Sequence, residues 1–190
     1  MAACDKTEVK EEQIEKGIEQ IPASQPDDRP EAQPEQQPTV QTTEESPSQL
    51  RTDPGFPWMV PSDWKLDETP RQMRIATYMA PTSEGDQEVA VTRFPGRVGG
   101  ELANINRWRG QMGLSPINES ELEENIERFT SDGFDGYQLR IESDRGAMLT
   151  AAVFDESTNQ TWFVRTTLSN ADLADQLESD VFDMARSIMQ

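Results

Sequence analysis

The chain has 190 residues, a net charge of −19, no histidine and a single cysteine. An acidic balance of that size repels nucleic-acid phosphate and anionic lipid headgroups, which sets both aside as primary partners. The absence of histidine removes the usual general base, the Ser-His and Cys-His nucleophile pairs and the commonest transition-metal ligand, and a lone cysteine excludes an intramolecular disulfide.

Residues 1–54 hold seven of the thirteen prolines, many Glu and Gln, and no aromatic side chain. Such a composition cannot bury enough apolar surface to offset the entropy of ordering the chain. Residues 1–54 are therefore expected to be a disordered, acidic, Pro/Glu/Gln-rich tether, and residues 55–190 one folded domain of ordinary size. Within the tether, Val9, Ile14, Ile18 and Ile21 form a loose helical stripe interrupted by Gly17. Isolated helices of that length are marginal. Met1-Ala2-Ala3-Cys4 resembles the end of a bacterial lipoprotein signal peptide, in which small residues precede a cysteine that is lipidated. The resemblance implies lipidation at Cys4, a place in the cell envelope, and contact with the membrane through the lipid anchor only. Asp5, next to that cysteine, resembles the inner-membrane retention signal of enteric lipoproteins, which implies the inner membrane facing the periplasm. As a chance cysteine, Cys4 would instead leave a cytoplasmic protein.

The folded part opens at Phe56-Pro57-Trp58, with a short strand over residues 58–60, a turn at Pro61-Ser62-Asp63, and Trp64 returning to the core. In residues 71–80, Met73, Ile75, Thr77 and Met79 alternate with Arg74, Ala76 and Tyr78, which predicts a strand burying the first set. Residues 88–94 read as its antiparallel partner across a turn pivoting on Gly85.

The densest pattern is residues 94–116. Pro95, Gly96, Gly99 and Gly100 predict a turn; Leu102, Ile105, Trp108 and Met112 then recur at helical spacing, and Gly113 stops the helix. Asn118 with Glu121 three residues later has capping-box spacing, predicting a second helix over residues 118–129 that buries Leu122, Ile126 and Phe129. Three strands with short connections follow, carrying Tyr137, Leu139 and Ile141, then AMLTAAVFD with both faces small or apolar, then Trp162, Val164, Thr166 and Leu168. Asn170 caps a last helix with Leu173, Leu177, Val181, Met184 and Ile188 as its apolar stripe. This order predicts an α+β domain: an antiparallel sheet of about six strands with helices packed on it.

The element order, the opening from Trp58 to Trp64 and the ending from Phe182 to Ser187 resemble the PsbP-like superfamily. That resemblance implies an accessory or assembly role rather than catalysis. The stretch FPGxxGGxxANxNRWRGQxGL, here Phe94 through Leu114, together with Thr161-Trp162-Phe163, is similar to uncharacterised bacterial proteins, many of lipoprotein type.

No residue set names a reaction. The glycines at 96, 99 and 100 match neither phosphate-loop pattern and read as a structural turn. Asp155, Ser157 and Asn159 have the alternate spacing of a calcium loop, but Gln160 stands where that loop needs glycine, so a hairpin turn is expected and no metal or cofactor is implied. The acids at 119, 121, 123 and 124 read as a solvated helix start. The candidate interaction surface is Asn104, Asn106, Arg107, Trp108 and Arg109, two arginines flanking a tryptophan in a strongly acidic chain. In the competing reading, Trp108 fills the core and the arginines pair internally. The function expected is a non-catalytic, membrane-tethered extracytoplasmic module that binds or assembles with a protein partner in the envelope. A carboxylate-dependent hydrolytic or ligand-processing enzyme and a cytoplasmic adaptor are the alternatives.

Overall fold

The computed structural model describes residues 49–131 and 134–188; the stripe at residues 9–21 and Cys4 lie outside them. Among the described residues, nine strands and two helices build the domain. β1 (Leu50–Thr52) pairs with β2 (Met59–Pro61) as a two-stranded ribbon. A seven-stranded antiparallel sheet contains β3 (Lys65–Leu66), β4 (Ala76–Ala80), β5 (Gln87–Pro95), β6 (Glu127–Ser131), β7 (Phe134–Ser143), β8 (Gly146–Asp155) and β9 (Gln160–Leu168), in the spatial order β3-β4-β5-β9-β8-β7-β6. Helices α1 (Glu101–Gln111) and α2 (Ala171–Arg186) complete it.

The two helices serve opposite faces of this sheet. One core joins Leu173, Leu177, Val181, Phe182 and Met184 of α2 to Leu149, Ala151 and Val153 of β8, Trp162 and Val164 of β9, and Trp58 and Trp64. The other joins Ile105, Trp108 and Met112 to Tyr137, Leu139 and Ile141 of β7, Met148 and Ala152 of β8, and Phe163. Successive side chains of a strand point to opposite faces, so β8 must carry apolar residues on both faces to serve both cores, and from Ala147 to Phe154 only Thr150 is polar. The Asn170 side chain caps α2 by accepting from the Leu173 amide at 2.9 Å. At its far end the Ser187 hydroxyl accepts from the Met59 amide at 2.8 Å, tying the helix to the ribbon. Arg140 of β7 reaches Asp175 at 2.6 Å and Glu178 at 2.7 Å on α2.

The α+β architecture and the first and last helices are as the sequence predicts, and three expectations are corrected. The helix over residues 118–129 does not form. Its capping box is present, with Asn118 accepting from the Ser120 amide and Glu121 accepting from the Asn118 amide, but only a single 3-10 turn over Glu119–Glu121 follows. Residues 127–131 instead become the edge strand β6, because Phe129 lies directly across from Gly136, where a Cβ would fall inside its ring. The missing side chain gives the phenyl group its seat, and sheet pairing outweighs a helix with few apolar residues.

β4 buries more than the predicted face. Ala76, Tyr78 and Ala80 are buried as well as Thr77, whereas Met73 and Ile75, which precede the strand, are 64% and 40% exposed. Two alanines beside one tyrosine leave room for Trp58 and Trp64, and the phenol is polar but satisfied: it accepts from the Trp58 indole at 2.9 Å and donates to Asp53. Finally, ordered chain begins before residue 55. β1 lies in the segment read as tether because Asp53 is the buried acceptor that Tyr78 requires.

Candidate functional site

The loop between β5 and α1 is shaped by its glycines. Gly96, Gly99 and Gly100 all have positive φ, between 67° and 77°, a region that L side chains avoid. The Gly96 amide donates to the Asn159 carbonyl at 2.8 Å, and a Cβ on Gly99 would sit 3.1 Å from Asn104 Oδ1. That closeness matters because Asn104, although buried, donates through Nδ2 to the Val98 carbonyl at 2.8 Å and pins the loop to the helix. Gly100 is the residue before the helix, and it supplies no side-chain cap.

This loop, the first turn of α1 and the sheet beneath it enclose a cavity of about 540 Å³. Tyr137, Ala152, Phe154 and Phe163 form its floor, and Leu102 and Leu122 its apolar walls. Phe163 is also held edge-on to Trp108 at 5.9 Å between ring centroids. Two arginines stand at the rim. The Arg97 guanidinium lies 3.8 Å over the Phe154 ring and pairs with Asp135 at 3.2 Å. Arg128 bridges Glu123 at 2.6 Å and Glu101 at 2.9 Å, clamping β6 to the start of α1.

Ion pairs and burial set the electrostatics of the site. Hydrogen bonds that Arg128 donates to Glu123 and then Glu101 raise its pKa above the ordinary value, and the first of these bonds lowers that of Glu123. Burial, reinforced by the charge of Glu101, pushes the Tyr137 phenol well above its usual range, with a bond to Asn104 partly offsetting it. Tyr137 is thus a neutral phenol at physiological pH. Glu101 and Asp135 are each engaged by an arginine instead of facing one another across the cavity, as paired acid–base carboxylates would.

No protein-family model matches the chain, and no curated protein does. Among solved structures it is similar to cyanobacterial PsbP (CyanoP) from Synechocystis sp. PCC 6803, at 14% identity and a TM-score of 0.45, covering 76% of this chain and 94% of that one. It is also similar to a protein from Bacteroides thetaiotaomicron VPI-5482, at 10% identity and a TM-score of 0.39, covering 75% of this chain and 48% of that one.

The five residues singled out on α1 do not form one exposed surface. Trp108 is 1% exposed and anchors the second core. Asn104 holds the glycine loop. Asn106 clasps Ile117 through both backbone groups, accepting from its amide at 2.7 Å and donating to its carbonyl at 2.8 Å. Arg109 donates to the Ser115 carbonyl at 2.9 Å and to Asn125 at 3.4 Å. Arg107 alone of the five is exposed. The motif therefore shapes the loop and one wall of a cavity, while the residues that finish it, Arg128, Tyr137, Phe154 and Phe163, come from later strands. A signal for them was present: Trp162 and Phe163 are adjacent bulky apolar residues in a strand, which requires cover on both faces.

Asp155, from the segment with calcium-loop spacing, turns back on its own hairpin. It accepts from the Ser157 amide at 2.8 Å and hydroxyl at 2.7 Å and from the Thr158 amide at 3.2 Å, and also bonds the Thr158 hydroxyl. Burial alone would raise its pKa, and these bonds outweigh burial to lower it.

Proposed function

We propose that the protein is a non-catalytic binding module, tethered to the cell envelope through lipidated Cys4, that takes an apolar anchor side chain of a partner protein into the cavity beside α1. The observation that carries this reading is the cavity itself, about 540 Å³ with an aromatic floor. That volume is typical of built binding sites, and pockets that accept a single anchor residue dominate the energetics of protein interfaces. The rim arginines already hold carboxylates, so the site does not require a charged ligand. Val98, 41% exposed on the lip, adds apolar area outside the cavity, which a protein surface covers and a small molecule would leave in water.

The test places a photo-crosslinking residue at position 98 in the native host and identifies what it captures. A defined envelope protein is expected, and its capture should disappear with Ala103→Trp, a change at an exposed cavity-wall position that blocks the mouth without entering the core. Capture that is unaffected by Ala103→Trp would remove the cavity from the interface. The tether is tested separately: the protein expressed with its complete upstream region should partition into detergent and lose that behaviour on Cys4→Ala. Equal partitioning of the variant would exclude lipidation there.

A further inference from the structure

Basic residues in this chain are outnumbered by acids, and most of the described arginines engage carboxylates. With 36 acidic residues against 17 basic ones, a guanidinium placed at random finds an acid nearby. Arg71, Arg74, Arg97, Arg128, Arg140 and Arg186 all do so. Among the described residues five arginines form no ion pair: Arg93 lies over the Trp162 ring and Arg109 bonds Ser115 and Asn125. The other three, Arg107 on α1, Arg145 in the turn before β8 and Arg165 on β9, gather near Gln111 at the end of α1. Arg145 donates to the Gln111 carbonyl at 3.0 Å, Arg165 approaches its side-chain oxygen at 3.5 Å, and Arg107 stands one helical turn earlier on α1.

The clustering is built. Gly113, just past the helix, has no Cβ, and one placed there would lie 2.9 Å from the Arg145 guanidinium carbon; the absent side chain lets that group lie against the backbone. Arg165 is half-buried on β9, in cross-strand register with Ala90 on one side and Thr150 on the other. The Thr150 hydroxyl is buried without any partner, so Arg165 reaches outward to Gln111 instead of donating to it. Burial, with Arg107 and Arg74 nearby, lowers the Arg165 pKa. Holding like charges together in this way costs folding stability, and an acidic chain had carboxylates in plenty with which to relieve it.

We propose that Arg107, Arg145 and Arg165 form a docking surface for an acidic segment of a partner protein. The three lie outside the lining of the cavity, so this surface stands whether or not the cavity binds an anchor. Charge complementarity names the occupant. The surface is an unpaired cationic patch on a chain whose net charge repels long polyanions, so attraction operates only within about 8 Å at physiological salt. A short run of carboxylates fits within that range, whereas a duplex or a lipid surface also meets the repulsive remainder. Spacing agrees. Position 107 to position 111 spans about 6 Å of helix at 1.5 Å per residue. Alternate side chains of an extended segment lie about 6.5–7 Å apart. Carboxylates at i and i+2 therefore match the separation of positions 107 and 111 along α1, the second of which holds the Arg145 and Arg165 contacts.

The test titrates the full chain with a fluorescein-labelled octapeptide of alternating Glu and Ser, read by fluorescence anisotropy at low and physiological salt. Salt-dependent binding is expected, weakened at least tenfold by Arg107→Gln and by Arg165→Gln, and unchanged by Arg140→Gln on the opposite face of the sheet. The melting temperature of Arg165→Gln should equal or exceed that of the parent, because the change relieves a buried like charge. Any of three results would overturn the proposal: no peptide binding at low salt, equal binding to the Arg107→Gln/Arg165→Gln double variant, or tighter binding of an oligonucleotide of the same charge. Loss of folding in Arg165→Gln together with unaltered binding by Arg107→Gln would likewise assign the cluster a structural role.

Discussion

The Trp58 indole nitrogen donates to the Tyr78 hydroxyl across 2.9 Å, in a contact that links the β1–β2 connection to β4 within the α2-side core. The same hydroxyl donates to Asp53, which is 7% exposed, so one phenol satisfies two buried polar groups at the two ends of the connection between β1 and β2. Tyr78→Phe keeps the ring and removes both bonds. Each buried group left unpaired costs about 1–3 kcal/mol, and the loss should appear in urea unfolding as a lower midpoint at unchanged slope. A variant as stable as the parent would mean that the ribbon contributes little to the fold.

The two tyrosines, Tyr78 and Tyr137, are both buried, and burial raises the pKa of each. A phenol harder to ionise in the folded than in the unfolded chain favours folding below the ordinary tyrosine value of about 10. That contribution is lost as the pH rises past this value, since the unfolded chain then releases the proton more readily. Absorbance at 295 nm should therefore show no tyrosinate near pH 10 while circular dichroism remains native, and both signals should change together at higher pH. Reversible ionisation of either tyrosine near pH 10 in the intact fold would contradict the burial described.

Gly136 and Phe129 make a second separable pair. Gly136→Ala places a methyl group inside the Phe129 ring, an overpacking expected to cost about 1–3 kcal/mol. Combined with Phe129→Ala, the same change should cost much less, and a double-mutant cycle would read the coupling directly. Additive effects would imply that β6 does not pair with β7 in the register described.

On α1, Trp108→Ala removes a large, fully buried ring and should cost roughly 3–5 kcal/mol. Arg107→Ala, one residue away and exposed, should change stability by about 0.5 kcal/mol or less. Thermal melts of the two variants separate packing from surface on the same turn of helix.

These contrasts show where the sequence was legible. α1 and α2 could be read because each combines helical spacing with a stop or a cap: Gly113 after the first, Asn170 before the second. β8 could be placed centrally because its apolar residues have no period. The helix expected at residues 118–129 was misread because its capping box is real, and local signals carry no knowledge of Gly136, seven residues beyond Phe129. The burial of β4 was misread for a related reason: Met73 and Ile75, which precede the strand, outweigh alanines in hydrophobicity. The deciding contact, Tyr78 with Asp53, spans 25 positions in sequence. The candidate site was half legible. The glycine turn and the Trp108 face were apparent, whereas the surroundings of Arg165 depend on register across three strands.

β8 contributes Leu149 to one core and Met148 to the other, neighbours in sequence on opposite sides of the sheet. Melting either core exposes one apolar side of this strand to water, a loss of burial that the ladder with β7 and β9 does not offset. The two halves of the molecule consequently share one unfolding event. Amide exchange in β8 should then proceed only through opening of the whole domain, and any occupant of the cavity beside α1 would slow exchange in α2, on the far side of the sheet.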